Sequence, residues 1–474
     1  MSHVPTDSGR WDFSMGGNMS KENNFTEGKI LSPLIQFMVP VFLAMFLQAM
    51  YGAVDLLIVG KFAQSVDVSA VSTGSQIMMT ITNLVTSFAM GTTILLGRRI
   101  GEGRGKEGGR VIGASICLFA LIALAFTALI PLMCRRLSAI MNAPEEAFDE
   151  TAAYIRICGL GSLFIIAYNL IGSIFRGIGD SKTPLMTVLI ACICNIAGDL
   201  LLVAIFHMGT AGAAIATVLA QMISVVVSLL MLRRKGLPFQ VARSDFRFDG
   251  SIIRKVTALG IPIAIQDFLV GVSFLVLLAI VNSLGLVASA GIGVAEKVCG
   301  FIMLIPAAFM QAMAAFVAQN IGAGKYQRAQ KSLVYAITVS TGLAVVMFAI
   351  TFFKGDLLSA VFANDAEVIH ASADYLKAYA IDCLLTCFLF CFIGFFNGLG
   401  MTRFVMIQGI VGAFLVRIPV AFFMSRQVPV SMFHIGLATP CSTVVQVILC
   451  LIRYRFANRK FAPTKDIESD HFPK

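Results

Sequence analysis

Asp55 is the one carboxylate in the apolar run from Leu31 to Ala63. Gln48, Tyr51 and Asp55 fall at i, i+3 and i+7, so a helix carries these polar groups on one face. An uncompensated charge in lipid costs at least about 3 kcal/mol, which turns that face towards protein or water. Acids so placed mark ion or substrate sites; the plain alternative is a structural acid satisfied by its neighbours. Asn195 and Asp199, at i and i+4, share one face of a second apolar run, and Thr217, Gln221 and Ser224 line a face of a third. The first half of the chain therefore offers two carboxylates, an amide and hydroxyls. Two acids in a low-dielectric site do not both ionise cheaply. Such a site takes up a proton, or holds Na⁺ through its oxygens. That is a coupling device, with structural hydrogen bonding as its rival.

Other ionisable residues inside apolar runs are Arg156, Asp267, Glu296, Lys297, Lys377, Asp382 and Arg417. Glu296 and Lys297 are adjacent and point to different helix faces. Lys297 can neutralise Asp267 or Asp382 as a structural pair between helices, with substrate contact the sharper role for these acids. Arg417, just before Pro419, reads as an anchor for a loop or helix end. Cys383, Cys387 and Cys391 share a helical face, but no histidine or second cysteine pair completes a metal set. The five histidines lie in tails or at segment ends, and HExxH, GxSxG and GxxxxGK[ST] are missing. No enzyme chemistry, cofactor or metal beyond Na⁺ is implied.

Positioning these residues falls to membrane-spanning helices. The 474 residues are 58% hydrophobic and 13% charged, against roughly 45–50% and 25% in soluble domains. Apolar runs between charged or Gly/Pro-rich breaks predict twelve spans. Those of the first half are Leu31–Ala63, Val66–Ile100, Gly108–Met133, Thr151–Gly177, Lys182–Phe206 and Gly209–Leu232. Those of the second half are Ser251–Leu284, Val287–Ile321, Ala329–Phe353, Ala371–Gly398, Arg403–Met424 and Ser431–Arg453. The first thirty residues have no apolar stretch ahead of a cleavage site, so the first span doubles as the targeting signal. The predicted domains are a tail at 1–30, an N-lobe at 31–232, a linker at 233–250, a C-lobe at 251–453 and a tail at 454–474.

The formal charge of +10 does not signal nucleic acid, because the basic residues sit between apolar runs. They crowd the even-numbered connections, with Arg98, Arg99, Arg104, Lys106, Arg110, Arg233-Arg234-Lys235, Arg243, Arg247, Arg254, Lys255, Lys325, Arg328 and Lys331. The odd ones hold only Lys61, Arg135, Arg136, Lys354 and Arg426. The positive-inside rule puts the even connections and both termini in the cytoplasm. An internal repeat is visible as well. Leu96-Gly-Arg-Arg-Ile-Gly-Glu-Gly103 resembles Val317-Ala-Gln-Asn-Ile-Gly-Ala-Gly324, and Gly101 to Gly322 is a shift of 221. Tyr154-Ile-Arg-Ile against Tyr375-Leu-Lys-Ala, and Phe175-Arg-Gly-Ile-Gly179 against Phe396-Asn-Gly-Leu-Gly400, keep that shift; Pro40 and Pro262 differ by 222. Two six-span halves of equal orientation suggest a transporter with its site near the midplane. A monomer suffices, since each half supplies six spans.

These residues resemble the multidrug and toxic compound extrusion (MATE) family over nearly the whole chain. The matching pieces are Pro40 with Tyr51-Gly-Ala-Val-Asp-Leu-Leu-Ile-Val-Gly60, the Arg98–Arg110 loop and Ile174-Phe-Arg-Gly-Ile-Gly-Asp180. In the second half they are Phe316-Val-Ala-Gln-Asn-Ile-Gly-Ala-Gly324 and Phe414-Leu-Val-Arg-Ile-Pro419. The resemblance implies an all-α integral membrane protein, twelve transmembrane helices in two six-helix lobes around a V-shaped cavity. It implies export of organic, mostly cationic compounds and drugs against H⁺ or Na⁺ across the plasma (inner) membrane. In the DinF-like branch the cation site is matched here by Asp55, Tyr154, Asn195, Asp199 and Thr217, and Pro40 resembles a helix-one proline whose kink responds to protonation. A fixed kink is the alternative for Pro40. The NorM-like branch has a Glu eight residues after the helix-seven proline; Val270 stands there, which puts a C-lobe cation site of that type in doubt. Gln48, Tyr51, Gln221, Gln266 and Asp267 are expected in the substrate cavity. A flippase of lipid-linked precursors is the alternative within transport, and a receptor or scaffold is the alternative outside it.

Overall fold

The computed structural model describes residues 25–239 and 241–461. Of the tails expected at 1–30 and 454–474, residues 1–24 and 462–474 lie outside the described residues. The chain is all-helical there, with no strand among the described residues. Backbone amides buried in lipid find partners only within a helix or a closed barrel, and long apolar runs take the first solution. Among the described residues eleven helices are long and apolar enough to cross a membrane, and one bent pair makes a twelfth.

Spans one to three are Leu31–Phe62, Ser65–Gly101 and Glu107–Ile140. Span four is the bent pair Glu145–Leu160 and Ser162–Ile178, turned by 54°, and the break falls on Gly161 between the two helices. Spans five and six are Lys182–Ile205 and Gly209–Lys235. The second half follows with Gly250–Asn282, Leu286–Gly322, Tyr326–Phe353, Ala366–Gly398, Thr402–Ser425 and Met432–Asn458 as spans seven to twelve. The departures from the sequence expectation are at the ends. Span three runs on to Ile140 instead of Met133, carrying Arg135 and Arg136 on its last turns, because long cationic side chains can leave the apolar zone while their helix continues. Spans one and seven pass through Pro40 and Pro262 as unbroken helices.

Two stretches of wider π-helix interrupt repeat-related spans: Leu200–Ile205 in span five and Val411–Arg417 in span eleven. Each abuts a buried charged residue, Asp199 in one half and Arg417 in the other. Such bulges re-aim the residues beside them and occur often at functional sites.

Contacts between the halves run from span two to spans seven and eight, and from span one to the second part of span eight, Leu304–Gly322. That helix is lined with small residues: Ala308, Ala312, Ala314, Ala315 and Ala318 are all fully buried. Lipid offers no hydrophobic drive for helices to associate, so close packing of small residues supplies the contact energy. Larger side chains, among them Phe37, Phe309, Phe316, Phe395 and Phe396, fill the core around it. The linker is tied back by Arg110 to Asp249 at 2.6 Å and Lys235 to Asp180 at 3.2 Å.

Candidate functional site

Four spans of the first half converge on one polar cluster. Span one brings Asp55, 4% exposed; span five brings Asn195 at 1% and Asp199 at 0%; span four brings Tyr154 at 2%. Span six adds Thr217, whose Oγ1 accepts from Asn195 Nδ2 at 3.4 Å. The Asp55 and Asp199 carboxyls interact directly, and Tyr154 lies against Thr217 and Cys158. All five residues matched through the family resemblance thus meet in one place.

The cluster's hydrogen bonding is incomplete in a telling way. Asp55 Oδ1, Asn195 Oδ1 and both carboxylate oxygens of Asp199 are buried without a donor. Orphaned acceptors of this kind cost several kcal/mol in a dry interior, roughly 2–7 kcal/mol each on transfer scales. They ask for a proton, a water or an ion. One proton shared between the two carboxyls would turn mutual repulsion into a hydrogen bond, the behaviour of carboxylate dyads elsewhere. A hard monovalent cation would find four oxygens on three side chains. The residues present therefore fit either H⁺ or Na⁺. Among the described residues no group of three His, Cys, Asp or Glu forms a site for a heavier metal.

The cavity residues expected from the sequence divide. Tyr51 is half-buried beside Asp55, with its hydroxyl against Gln221. Gln48 is exposed one turn away, and its Nε2 donates to the Tyr168 hydroxyl at 3.4 Å. Asp267 lies apart from this cluster, between the halves: it accepts a short hydrogen bond from Ser87 of span two. It is exposed yet has protein around it, as a residue lining a cleft does. Gln266 is buried instead and packs over Gly409 of span eleven.

Several participants escape sequence reasoning. Tyr168 and Asn169 extend the polar lining along span four, where Asn169 Oδ1 accepts from Thr86 of span two at 2.7 Å. Arg176 reaches Ser173 Oγ at 2.8 Å and stands near Tyr168. Gly74 of span two leaves the space that the Tyr154 ring occupies: a β-carbon there would sit 2.6 Å from the ring. Polar residues recurring within an apolar run were the available signal for Tyr168 and Asn169; nothing local signals Gly74.

In the second half, Arg417 does not anchor a loop. It is 5% exposed, donates to Ser273 Oγ at 2.8 Å, and stacks over the Phe274 ring at 4.1 Å. Its charge acts on the equally buried Asp382, which also accepts from Thr386 at 2.8 Å. Among the described residues no ion pair joins Lys297 to Asp267 or Asp382. The cation whose charge reaches Asp382 is Arg417, without an ion-pair contact between them. Arg417 is the last residue of the π-helical stretch and is buried there.

Twelve spans in two repeats, with buried ionisable residues inside both, define a membrane protein of the transporter class. The comparisons with known proteins give the family. The MatE family profile matches residues 40–201 and again 262–423, two copies shifted by 222. This chain belongs to the MatE family. "Probable multidrug resistance protein YpnP" of Bacillus subtilis (strain 168) is 25% identical over 448 residues, covering 93% of this chain and 98% of the relative. "Multidrug export protein MepA" of Staphylococcus saprophyticus is 23% identical over 444 residues, 91% and 96% of the two chains. Among solved structures, a multidrug resistance MATE family transporter in an outward-facing conformation superposes with a TM-score of 0.87 at 18% identity, covering 94% of this chain and 99% of that one. A MATE in complex with MaL6 gives 0.87 at 17% identity, covering 93% and 99%. The fold, two lobes of membrane-spanning helices, is that of these transporters.

Proposed function

We propose that this protein exports organic, mostly cationic compounds from the cell by alternating access, driven by inward movement of H⁺ or Na⁺ through the first-half cluster. The observation that carries the reading is the facing pair Asp55 and Asp199, fully enclosed, with three of their oxygens lacking any donor. An interior that dry does not leave two bare carboxylates unoccupied. In this reading residues 31–232 and 251–453 are the two lobes, joined by a cytoplasmic linker at 233–250, in the plasma membrane with both termini inside. A monomer is the working unit.

The cation and the drug compete through conformation. Cation bound at Asp55/Asp199 favours one arrangement of span one, and drug loaded in the cleft favours the other. A ligand shifts such an equilibrium only by its differential affinity for the two states. Asp267, with Gln48, Tyr51 and Gln221 further up the first half, would face the drug, since a carboxylate in a cleft between apolar walls attracts organic cations. The relatives' names, which refer to multidrug resistance and export, favour drugs over lipid-linked precursors.

The test is efflux of a fluorescent organic cation from liposomes holding the purified protein, under an imposed H⁺ gradient, a Na⁺ gradient or neither. One gradient drives flux in wild type, and Asp55→Asn and Asp199→Asn each reduce it at least about tenfold, as loss of one charge-dependent interaction does. Gradient-driven flux that survives both substitutions would remove the coupling site from this cluster.

A further inference from the structure

At the end of the bundle that carries the even-numbered connections, the halves are joined by two latches related by the internal repeat. Arg98 of span two donates from Nη2 to the carbonyl of Gly398, on the last turn of span ten, at 3.3 Å. Gln319 of span eight donates from Nε2 to the carbonyl of Gly177, on the last turn of span four, at 3.0 Å. Arg98 to Gln319 and Gly177 to Gly398 are both shifts of 221, as is Gly101 to Gly322. Each latch satisfies a helix-terminal carbonyl of the opposite half. The backbones cross just as reciprocally: a β-carbon on Gly101 would lie 1.9 Å from Gln319 O, and one on Gly322 2.1 Å from Arg98 O.

One side of this seam carries a third part that the repeat does not duplicate. Phe25, ahead of span one, is fully buried, with ring centroids 5.3 Å from Phe37 and 5.1 Å from Phe316. The main chain that follows is gripped by the second half. Arg328 donates from Nε to Phe25 O at 2.8 Å, from Nη1 to Gly28 O at 2.7 Å, and from Nη2 to Glu27 O and Lys29 O, both at 2.8 Å. Asn320 reaches Phe25 O at 3.1 Å and Lys325 reaches Thr26 O at 2.9 Å. In the other half the residue related to Phe25 by the same shift is Phe246, 48% exposed, and the residue related to Arg328 is Glu107, which cannot donate to carbonyls.

We infer that Phe25–Lys29 is a strap that holds this end of the transporter shut and must be withdrawn before the halves can part there. The strap continues directly into span one, the helix that carries Asp55, so movement of span one at the cation site pulls on the strap. Charge-assisted bonds from one guanidinium to four carbonyls form or break as a set. That makes the seam bistable, which a gate requires. The inference rests on the export reading for its purpose, while its first test needs no substrate.

Spin labels at Lys182 and Arg403, exposed positions also related by the shift of 221, report the separation of the halves at this end. The measurement uses the full chain with its native cysteines replaced. Arg328→Gln, which loses charge-assisted hydrogen bonds, and Phe25→Ala, which loses a fully buried ring, are each expected to raise the population of a longer separation by roughly tenfold or more. An unchanged distance distribution in both variants overturns the strap, even if their thermal stability falls. A second arm tethers it: Glu27→Cys with Gln327→Cys, joined by a cleavable bifunctional thiol reagent, should stop organic-cation flux and restore it on cleavage. Flux that continues through the tether overturns the inference, and recovery after cleavage shows that the variant is folded.

Discussion

Gly74 decides where Tyr154 can stand. The Tyr154 ring fills the position a side chain at residue 74 would take, and its hydroxyl lies against Thr217 of the cluster. Gly74→Val is therefore expected to push the ring aside. Overpacking of this sort costs about 1–3 kcal/mol, read as a lower melting temperature of the purified protein together with loss of gradient-driven flux. Unchanged melting and flux would show that the ring has room to move. Asp55 and Asp199 were legible in the sequence because an ionisable residue in a long apolar run has few bland explanations, and Asn195 because it shares a helix face with Asp199. Tyr154 came from the family resemblance, and the structure gives it a place in the cluster. Gly74 was not legible, since glycine is common in membrane helices and its purpose lies on another span. The place of Arg417 was not legible for a related reason: its contacts, Ser273 and Phe274, lie on span seven, 144 residues away for the Ser273 hydrogen bond.

Helix ends show how far local rules extend. Asp249 precedes span seven, accepts from the Ser251 and Ile252 amides at 3.1 and 3.3 Å, and pairs with Arg110. Those amide bonds, led by Ile252, and the Arg110 charge hold its carboxyl below the usual carboxylate range. A folded-state value below the unfolded one, about 3.9, means stabilisation that is present above that pH and is lost as pH falls through the lowered value. Asp249→Ala should thus melt earlier than wild type at pH 7, with the gap closing as the pH falls below about 4. A gap that does not change with pH would assign the effect to packing alone. This cap could be read locally. The equivalent device on span six could not: Asp67, on span two, accepts from Thr210 N at 2.9 Å and Thr210 Oγ1 at 2.7 Å, a contact 143 residues apart in sequence. The bend in span four was hidden as well, because its two pieces read as one continuous apolar run.

The whole molecule is a duplicated half used asymmetrically. The repeat was visible in three short motifs, and two of them turn out to hold the seam: Gly101 and Gly322 where the backbones cross, Gly177 and Gly398 as the latched carbonyls. What breaks the symmetry was not visible, since Phe25 and Arg328 meet across some 300 residues and neither stands out locally. The proposed function uses the broken symmetry. The first half pairs Asp55 with a second acid, Asp199, and leaves three of their oxygens without a donor; the second half buries a single acid, Asp382, which also keeps one oxygen without a donor and has the Arg417 charge acting on it. The proposed coupling site is the acid pair, which only the first half has. The most direct test runs the cycle backwards: an organic-cation gradient is imposed across liposomes containing the protein, and movement of H⁺ and of Na⁺ is recorded. Wild type is expected to move one of these ions against the drug, and neither Asp55→Asn nor Asp199→Asn to do so; ion movement persisting in both variants would contradict the account.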